Sequence, residues 1–417
     1  MIHVASAAGD GFCLAYRLKR DGHPVTWWCK EPGGRDIGKR LVDLRASQGR
    51  AVTIYDAVGM HADGVDFPRP PHIGGNKLEN WETRRMLGTR TMTEHGIEVP
   101  ITREFHSVGD AIHFLRKTDG EFYFKPDGAH VPKSMTMKGT SEELLRFLAW
   151  AAPQLAKVPR FELQEPVDSG CEVDVAVWLN AEGPVAYEVC IEEKKSLHGD
   201  LGPATGCQAN ILWDVPMCDL VEQTIEPFVP TLVRAGYIGL ASINVIITPK
   251  LGIYGLEFTM RLGFDSTQAA VALWDDTLGL QLEEFARGEL VEFNRSTKAA
   301  MTVRLSTPPQ PMEDSKDDKK HAGAPLPVDL LDIEGFLPDD VALDAQGLPV
   351  CATGSGFVGT LSTTGTSLNT MRETLTDRAK DSKIPDVMYR SDPVSRAEKA
   401  LAFLRKHALA PDPFSIE

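Results

Sequence analysis

Tyr254-Gly-Leu-Glu-Phe-Thr-Met-Arg-Leu-Gly263 reads as a strand that leaves an apolar run and carries Glu257, then Arg261, into a cleft. A carboxylate in such a place can hold a Mg²⁺ that bridges nucleotide phosphates, and a neighbouring arginine can neutralise a phosphoryl group in transfer. A second stretch, Gly199-Asp-Leu-Gly-Pro-Ala-Thr-Gly206, joins glycines, a proline and a hydroxyl residue. That composition predicts a loop whose backbone N–H groups approach an anion. Together the two stretches point to phosphoryl chemistry on a small molecule.

Working outward, 417 residues predict two to four domains at about 150 residues each. No apolar segment approaches the length that crosses a bilayer, and Met1-Ile-His-Val-Ala5 reads as a strand, not a basic and apolar leader. The seven cysteines are scattered with no CxxC pair. We therefore expect reduced thiols in a cytoplasmic protein, with neither a structural zinc nor a disulfide framework. With 44 basic against 59 acidic residues the formal charge is −15, which disfavours stable binding to a polynucleotide. A small anionic ligand responds to the local site and remains allowed.

Residues 1–78 predict an N-terminal α/β domain. Ile2-His-Val-Ala5 (strand), Ala7-Ala-Gly-Asp-Gly11 (turn), Phe12-Cys-Leu-Ala-Tyr-Arg-Leu18 (helix) and Pro24-Val-Thr-Trp-Trp-Cys29 (strand) make a βαβ beginning, hence a parallel sheet. Gly9-Asp-Gly11 lacks the third glycine of a dinucleotide fingerprint, so packing is favoured over dinucleotide binding. Residues 79–296 form the expected core, with a small lid subdomain over about 121–180. Helical spacing covers 81–94 and stops at Gly96; Ser107-Val-Gly-Asp110 and Thr140-Ser-Glu-Glu143 have capping-box spacing before helices. Runs at 161–165, 172–179 and 185–191 predict antiparallel strands with one wet face. Helical spacing over 221–232 is interrupted at Pro227 and Pro230, and strands follow at 241–247 and 252–258. Residues 297–417 form a C-terminal domain with a proline-rich, charged loop at 306–327 and short strands at 341–343 and 350–353. One helix starts near Ser367, and another uses Asp392-Pro393 as N-cap and first residue.

The pieces come in a recognisable order: Lys125-Pro-Asp-Gly128, Glu165, Gly170-Cys-Glu172, Glu192-Glu-Lys-Lys-Ser-Leu-His-Gly-Asp-Leu-Gly-Pro-Ala-Thr-Gly206, then Gly255-Leu-Glu-Phe-Thr-Met-Arg-Leu-Gly263. This order resembles the ATP-grasp superfamily and, within it, the glycinamide ribonucleotide synthetases (phosphoribosylamine–glycine ligases). The resemblance covers nearly the whole chain, including Met388-Tyr-Arg-Ser-Asp392. It implies an α/β (α+β) fold: a small parallel N-terminal domain, ATP-clamp subdomains and a mixed C-terminal domain. It also implies ATP with Mg²⁺ or Mn²⁺, a small-molecule amine, and an amino acid or other carboxylate. The implied reaction phosphorylates the carboxylate, and the amine then displaces phosphate to give an amide. No membrane partner is implied, and the assembly would be a monomer or homodimer.

By the same resemblance Lys125 reaches ATP phosphates from a strand; the alternative is a solvated lysine at a strand end. Glu165 and Glu172 match the glutamates that accept hydrogen bonds from the adenine amino group and the ribose, although glutamates on exposed strands are common. Glu257 matches the metal-binding glutamate, or else is a carboxylate paired with Arg261. Where the family has asparagine two residues on, this chain has Thr259; Asn244 on the preceding strand would supply a compensating amide oxygen, or else is a satisfied polar group of the core. Arg261 would stabilise the acyl-phosphate. Lys194 and Lys195 match a basic pair, with a solvated charge run as the alternative. In the loop Asp200, Gly202, Pro203, Thr205 and Gly206 follow the family, while Ala204 and Cys207 depart from it.

Three departures fall on the substrate side. Gly9-Asp-Gly-Phe-Cys-Leu14 replaces the Gly-Gly-Arg-Glu-His run that grips phosphoribosylamine. The glycine-rich lid becomes residues 128–139, where Lys133 or Lys138 would act by charge, and Gly263-Phe-Asp-Ser-Thr-Gln268 replaces Gly-Asp-Pro-Glu-Thr-Gln. The phosphate and metal residues are thus largely kept while the acceptor side is changed. A ligase of altered specificity is the expectation. The alternatives are a non-catalytic nucleotide-binding relative, or a ligase that attaches an amino acid to a modified nucleotide.

Overall fold

A computed structural model describes residues 1–7, 9–29, 39–40, 52–60, 71–127, 135–155, 158, 160–263, 265–310 and 321–414. Lys133, Phe264 and the centre of the 306–327 loop fall outside them. Strands β1 (Ile2–Ser6), β2 (Val25–Cys29), β3 (Lys39–Arg40), β4 (Val52–Tyr55) and β5 (His72–Ile73) form a parallel sheet in the order β3-β2-β1-β4-β5. The expected βαβ beginning is present. Helix α1 (Phe12–Arg20) closes it by burying Phe12, Leu14, Ala15 and Leu18. The chain adds strands to one side of β1, then crosses to the other, so the order reverses between β1 and β4. In open parallel sheets that reversal opens a crevice beyond the carboxyl ends of the two strands.

Helices α2 (Asn80–Thr83) and α3 (Arg85–Glu94) come next; the single helix expected over 81–94 is interrupted at Arg84, whose φ of −119° and ψ of 83° are not helical. The chain then enters a four-stranded antiparallel sheet of β6 (Thr102–Phe105), β7 (Glu121–Asp127), β8 (Met137–Thr140) and β9 (Arg160–Gln164). Helices α4 (Val108–Leu115) and α5 (Ser141–Leu155) cover it, through Ala111, Leu115, Leu144, Leu148, Phe124 and Phe161. Both expected capping signals form: the Ser107 hydroxyl accepts from the Gly109 and Asp110 N–H groups, and Thr140 and Glu143 bond each other reciprocally.

The large sheet contains β10 (Cys171–Asn180), β11 (Gly183–Leu197), β12 (Leu201–Val215), β13 (Gly239–Ile247), β14 (Ile253–Thr259), β15 (Ala299–Ser306), β16 (Phe336–Pro338) and β19 (Phe357–Gly365). Its order is β14-β13-β10-β11-β12-β15-β19-β16, so residues beyond 297 extend the sheet that β10 begins. A hairpin of β17 (Val341–Leu343) and β18 (Pro349–Cys351) stands apart. Helices α6 (Asp219–Thr224), α7 (Val229–Arg234), α10 (Leu368–Asp381) and α11 (Ser395–Lys406) supply Leu220, Leu232, Leu375 and Leu401 to the core on one face. On the other face, α8 (Ser266–Leu273), α9 (Leu278–Arg287) and the parallel sheet pack against Ala176, Trp178, Cys190 and Leu212. As expected, the chain is helical on either side of Pro227 and Pro230, with α7 restarting after a turn of 3-10 helix.

Several expectations are corrected. Strand β10 has no wet face over most of its length, because cores form on both sides; burial alternates between two interiors instead of between core and water. The 199–206 stretch is no loop. Residues 198–200 make the tip of a long hairpin, and Leu201 onward is already β12, paired with β11. Asp392 does not cap the last helix: Val394 occupies the cap, and the Asp392 carboxylate instead accepts from the Gly199 N–H and pairs with Arg390. None of the seven cysteines is in a disulfide, and among the described residues no helix is long and apolar enough to cross a membrane.

Trp178 holds the interior between the two sheets. Its ring meets Trp274, Phe285 and Phe293 edge-on at centroid distances of 6.0, 5.6 and 5.3 Å, and its indole N–H donates to Glu188 at 2.6 Å. Trp178→Ala is expected to cost about 3–5 kcal/mol of unfolding free energy in urea titrations followed by circular dichroism. Trp150→Ala, at a position 68% exposed, should stay within about 0.5 kcal/mol of the parent.

Candidate functional site

The site follows from strand alternation. Val173, Val175, Val177 and Leu179 of β10 enter one core, so residues 172, 174, 176 and 178 face the other way. On that face Ala176 and Trp178 pack against the parallel sheet, whereas Glu172 and Asp174 extend past it. Register carries the same polar row across the neighbouring strands. Asp174 lies opposite Asn244 of β13, which lies opposite Glu257 of β14; Ser242 lies opposite Thr259. On β11, Glu192 and Lys194 share the face.

Lys194 bridges this row. Its Nζ lies 2.7 Å from Glu172 Oε1 and 3.5 Å from Glu192 Oε2, while Arg396 reaches the other Glu172 oxygen at 3.1 Å. Burial alone would lower the Lys194 ammonium, but Glu172, Glu192 and Glu257 outweigh it and hold the lysine well above its usual pKa. Burial likewise pushes Glu172 up, and Lys194 with Arg396 reverses that, leaving it below the usual carboxylate range. Burial, then Glu192, push the Asp174 carboxyl up to about 7, against a hydrogen bond from the Ser242 side chain and the pull of Lys194. The buried Asn244 Oδ1 and Asp174 Oδ1 have no hydrogen-bond partner. Two unsatisfied oxygens beside a carboxylate on one strand face are costly unless a donor or cation fills the gap.

Lys125 approaches from the small sheet. It lies opposite Glu162, and its Nζ donates to Gln164 Oε1 at 2.6 Å. Burial first, then Arg85 and Lys194, lower its pKa, against the pull of Glu257 and Glu162. Arg85, the first residue of α3, reaches Glu257 at 3.5 Å and Glu162 at 3.7 Å, tying the two sheets together. The structure thus brings Lys125, Glu172, Lys194, Asn244, Glu257 and Thr259 to one place.

Other expected residues lie apart from it. Glu165 is exposed just past β9, its N–H donating to Ile101 O. Lys138 pairs with Glu121 at 3.1 Å on the outer sheet edge, over the Tyr123 ring that Lys125 also approaches. Lys195 does not act with Lys194: its Nζ donates to Gly202 O within the hairpin. Asp200 pairs at 2.9 Å with Arg390, a fully buried guanidinium that also holds Glu193 and Asp392. Gly202 and Pro203 are exposed, whereas Thr205 O and the Gln208 amide anchor the foot of the hairpin, with Gly206 adjoining, to Arg304 and the Thr205 hydroxyl.

Four residues past Glu257, Arg261 faces a second group of charges. Glu82 of α2 takes Arg261 Nε at 3.1 Å and the Met260 N–H at 2.8 Å, and Asp10 and Asp56 act on the same guanidinium. Glu79 accepts from the Gly59 N–H at 2.7 Å, and burial pushes its carboxyl up to about 7. The two groups sit on the polar ends of the two sheets with β14 running between them.

No family model matches the chain. Over 343 residues it is 23% identical to the bifunctional purine biosynthetic protein ADE5,7 of Saccharomyces cerevisiae, a match taking in 77% of this chain and 42% of that protein. The phosphoribosylamine–glycine ligase of Ralstonia nicotianae is 23% identical over 349 residues, 76% of this chain and 82% of its own length. The crystal structure of phosphoribosylamine–glycine ligase from Thermotoga maritima superposes with a TM-score of 0.73 at 16% identity, covering 94% of this chain and 99% of that one. The chain has the ATP-grasp fold.

Within this ATP-grasp chain, sequence reasoning missed Arg85, Glu162, Asp174 and Glu192 at the first group, and Asp56, Glu79 and Glu82 at the second. A signal for one pair was present: in Cys171-Glu-Val-Asp-Val175, alternation puts Glu172 and Asp174 on one face. Arg85 and Glu82 carried no such signal, because only the break at Arg84 turns them toward the sheets.

Glu79 sets a pH dependence. A carboxyl whose folded pKa lies above its unfolded value binds its proton more tightly when folded, so its contribution is full below pH about 4 and is lost as pH rises through 7. Glu79→Gln should therefore gain stability relative to the parent between pH 5 and 8, by up to about 1.4 kcal/mol per pH unit, in paired urea titrations. Parallel midpoints at both pH values would show that Glu79 is ionised throughout.

Proposed function

We propose that the chain is an ATP-dependent carboxylate–amine ligase that forms an amide through an acyl-phosphate. The observation that carries this reading is the shared strand face on which Lys125, Glu172, Lys194, Asn244 and Glu257 converge. Arg261 follows Glu257 on the same strand exit, where Glu82 orients it. The relatives named as phosphoribosylamine–glycine ligases support the reaction class.

In this reading the ATP phosphates lie over β10, β13 and β14. Lys125 and Lys194 supply positive charge to them; the strong pull of Glu172 and Glu192 keeps Lys194 ionised at any working pH. Glu165 and Glu172 would accept from the adenine amino group and the ribose, with Glu172 held in place by Lys194 and Arg396. Mg²⁺ or Mn²⁺ fits the remaining donors: the Glu257 carboxylate, the unpartnered Asn244 Oδ1 and, beside them, the Thr259 hydroxyl. When bound, the metal neutralises charge on the transferring phosphate.

A substrate carboxylate oxygen attacks the γ-phosphorus and ADP departs. The amine nitrogen then attacks the acyl carbon; the C–N bond forms, the C–O bond to phosphate breaks, and phosphate leaves with the proton the nitrogen gives up. Arg261, oriented by Glu82, can stabilise the acyl-phosphate oxygens as charge builds on them. The hairpin from Asp200 to Gly206 would border the carboxylate side, its foot fixed by Arg304 and its tip by Arg390.

ATP-dependent phosphate release over a panel of acids and amines tests the proposal. Glu257→Ala should reduce kcat/KM about a hundredfold or more, and Lys125→Met should do so mainly through the affinity for ATP. Tight nucleotide binding with no release for any acid–amine pair would instead favour a non-catalytic nucleotide-binding protein.

A further inference from the structure

We propose that the crevice beyond the carboxyl ends of β1 and β4 binds a cationic, unphosphorylated amine, and that this amine is the acceptor of the ligation. The second half of that statement rests on the ligase reading; the first stands on the crevice itself. The strand order reverses between β1 and β4, which fixes where a ligand can enter the parallel sheet. Asp10 follows β1 and Asp56 follows β4, one on each side of that point.

The described residues around it are mostly anionic. Asp10 acts electrostatically on Asp56, on Arg261 and on Asp265, and Glu82 pairs with Arg261; burial, then Asp10, pushes the Asp56 carboxyl up to about 7, and burial pushes that of Asp265 up to about 6, shifts that a bound cation would oppose. Among the described residues the two guanidiniums there are already engaged: Arg261 with Glu82, and Arg304 with Asp265. Among the described residues, a phosphate monoester brought here would meet more carboxylates than free cations.

An oxygen waits for a donor in each of two buried carboxylates. Asp56 is 1% exposed; its carboxyl accepts from the Gly11 N–H at the start of α1, through Oδ2, and is hydrogen-bonded by the Ser6 side chain, while Oδ1 is left unsatisfied. Asp265, also 1% exposed, gives its Oδ2 to Arg304 and likewise leaves Oδ1 without one. Gly11 is what lets Asp56 stand here, since a Cβ at that position would lie 2.8 Å from Asp56 Oδ2 and 3.0 Å from Val4 Cγ1. A buried carboxylate oxygen left unpaired costs free energy that an ammonium or amidinium donor recovers.

The nitrogen that attacks an acyl-phosphate must be neutral. The charge that these carboxylates hold therefore belongs to a second basic group on the same molecule, and the chemistry selects a diamine or a similarly doubly basic compound. The crevice end would take the permanent cation while the other nitrogen lies toward Arg261.

Calorimetry on the full chain without ATP tests this, with 1,4-diaminobutane and ribose 5-phosphate as probes. The diamine should bind and the sugar phosphate should not. Asp56→Asn and Asp10→Asn should each weaken diamine binding about tenfold or more. Asp10 is only half-buried, so its variant keeps the test valid should Asp56→Asn fail to fold. Preferential binding of ribose 5-phosphate, or diamine affinity unchanged by Asp10→Asn, would overturn the proposal. Diamine binding that obeys these expectations without ATP-dependent phosphate release for any acid would sink the ligase reading alone.

Discussion

The register between β10, β13 and β14 is the constraint on which the other features depend. Because side chains alternate along a strand, pairing Asp174 with Asn244 and Asn244 with Glu257 also sends Val173, Val175, Ile243 and Val245 into one core. A shift of one residue would exchange the two faces and bury the charged row in that core. The apolar side therefore enforces the placement of the polar side, without the site having to stabilise itself. The same face changes character along its length, from Trp178 and Ala176 under the parallel sheet to Asp174 and Glu172 in the cleft. Apolar packing gives way to a charged row within one strand.

Charge organisation follows from that geometry. Arg295 is buried between Glu188 and Asp214 behind Trp178, Arg304 is buried against Asp265, and Arg390 gathers Glu193, Asp200 and Asp392. Such pairs add little net stability, because desolvation consumes most of the Coulombic gain, yet removing one partner is costly. Their effect here is positional. Arg390 ties the tip of the β11–β12 hairpin to α11, and Arg304 ties its foot to the entry of α8. A hairpin anchored at both ends can present Thr205 and Gly206 at a fixed height beside the cleft. The cluster around Lys194 differs, because its ion pairs border two oxygens, on Asn244 and Asp174, that remain unsatisfied.

Much of this was legible in the chain because it is local. The βαβ beginning, both capping boxes and the restart after Pro227 each depend on a few neighbouring residues, and each formed. The hairpin was misread because Gly199, Gly202 and Gly206 suggest a loop, while strand pairing with β11 was decided by partners in the large sheet. The Asp392-Pro393 cap failed for a similar reason: Arg390 and the Gly199 N–H, nearly two hundred residues away for the latter, outbid the helix terminus for the carboxylate. Splitting Lys194 from Lys195 needed only the period of two; bringing Arg85 to Glu162 and Glu257 needed the three-dimensional fold.

The start of α1 shows how one small residue can change the polarity of a crevice. Glycine at position 11 removes the side chain that would occupy the start of α1, and a carboxylate from β4 fills the room. The first turn of a helix offers N–H donors that would otherwise serve an anionic ligand. Here Asp56 takes the Gly11 N–H from within the protein, so part of that anion-binding capacity is spent before any ligand arrives. What remains at the mouth of the crevice is the other Asp56 oxygen, Asp10 beside it, and an arginine already oriented by Glu82. Among the described residues the opening is therefore lined mainly by carboxylates, and the strand exit from Glu257 to Arg261 reaches its edge.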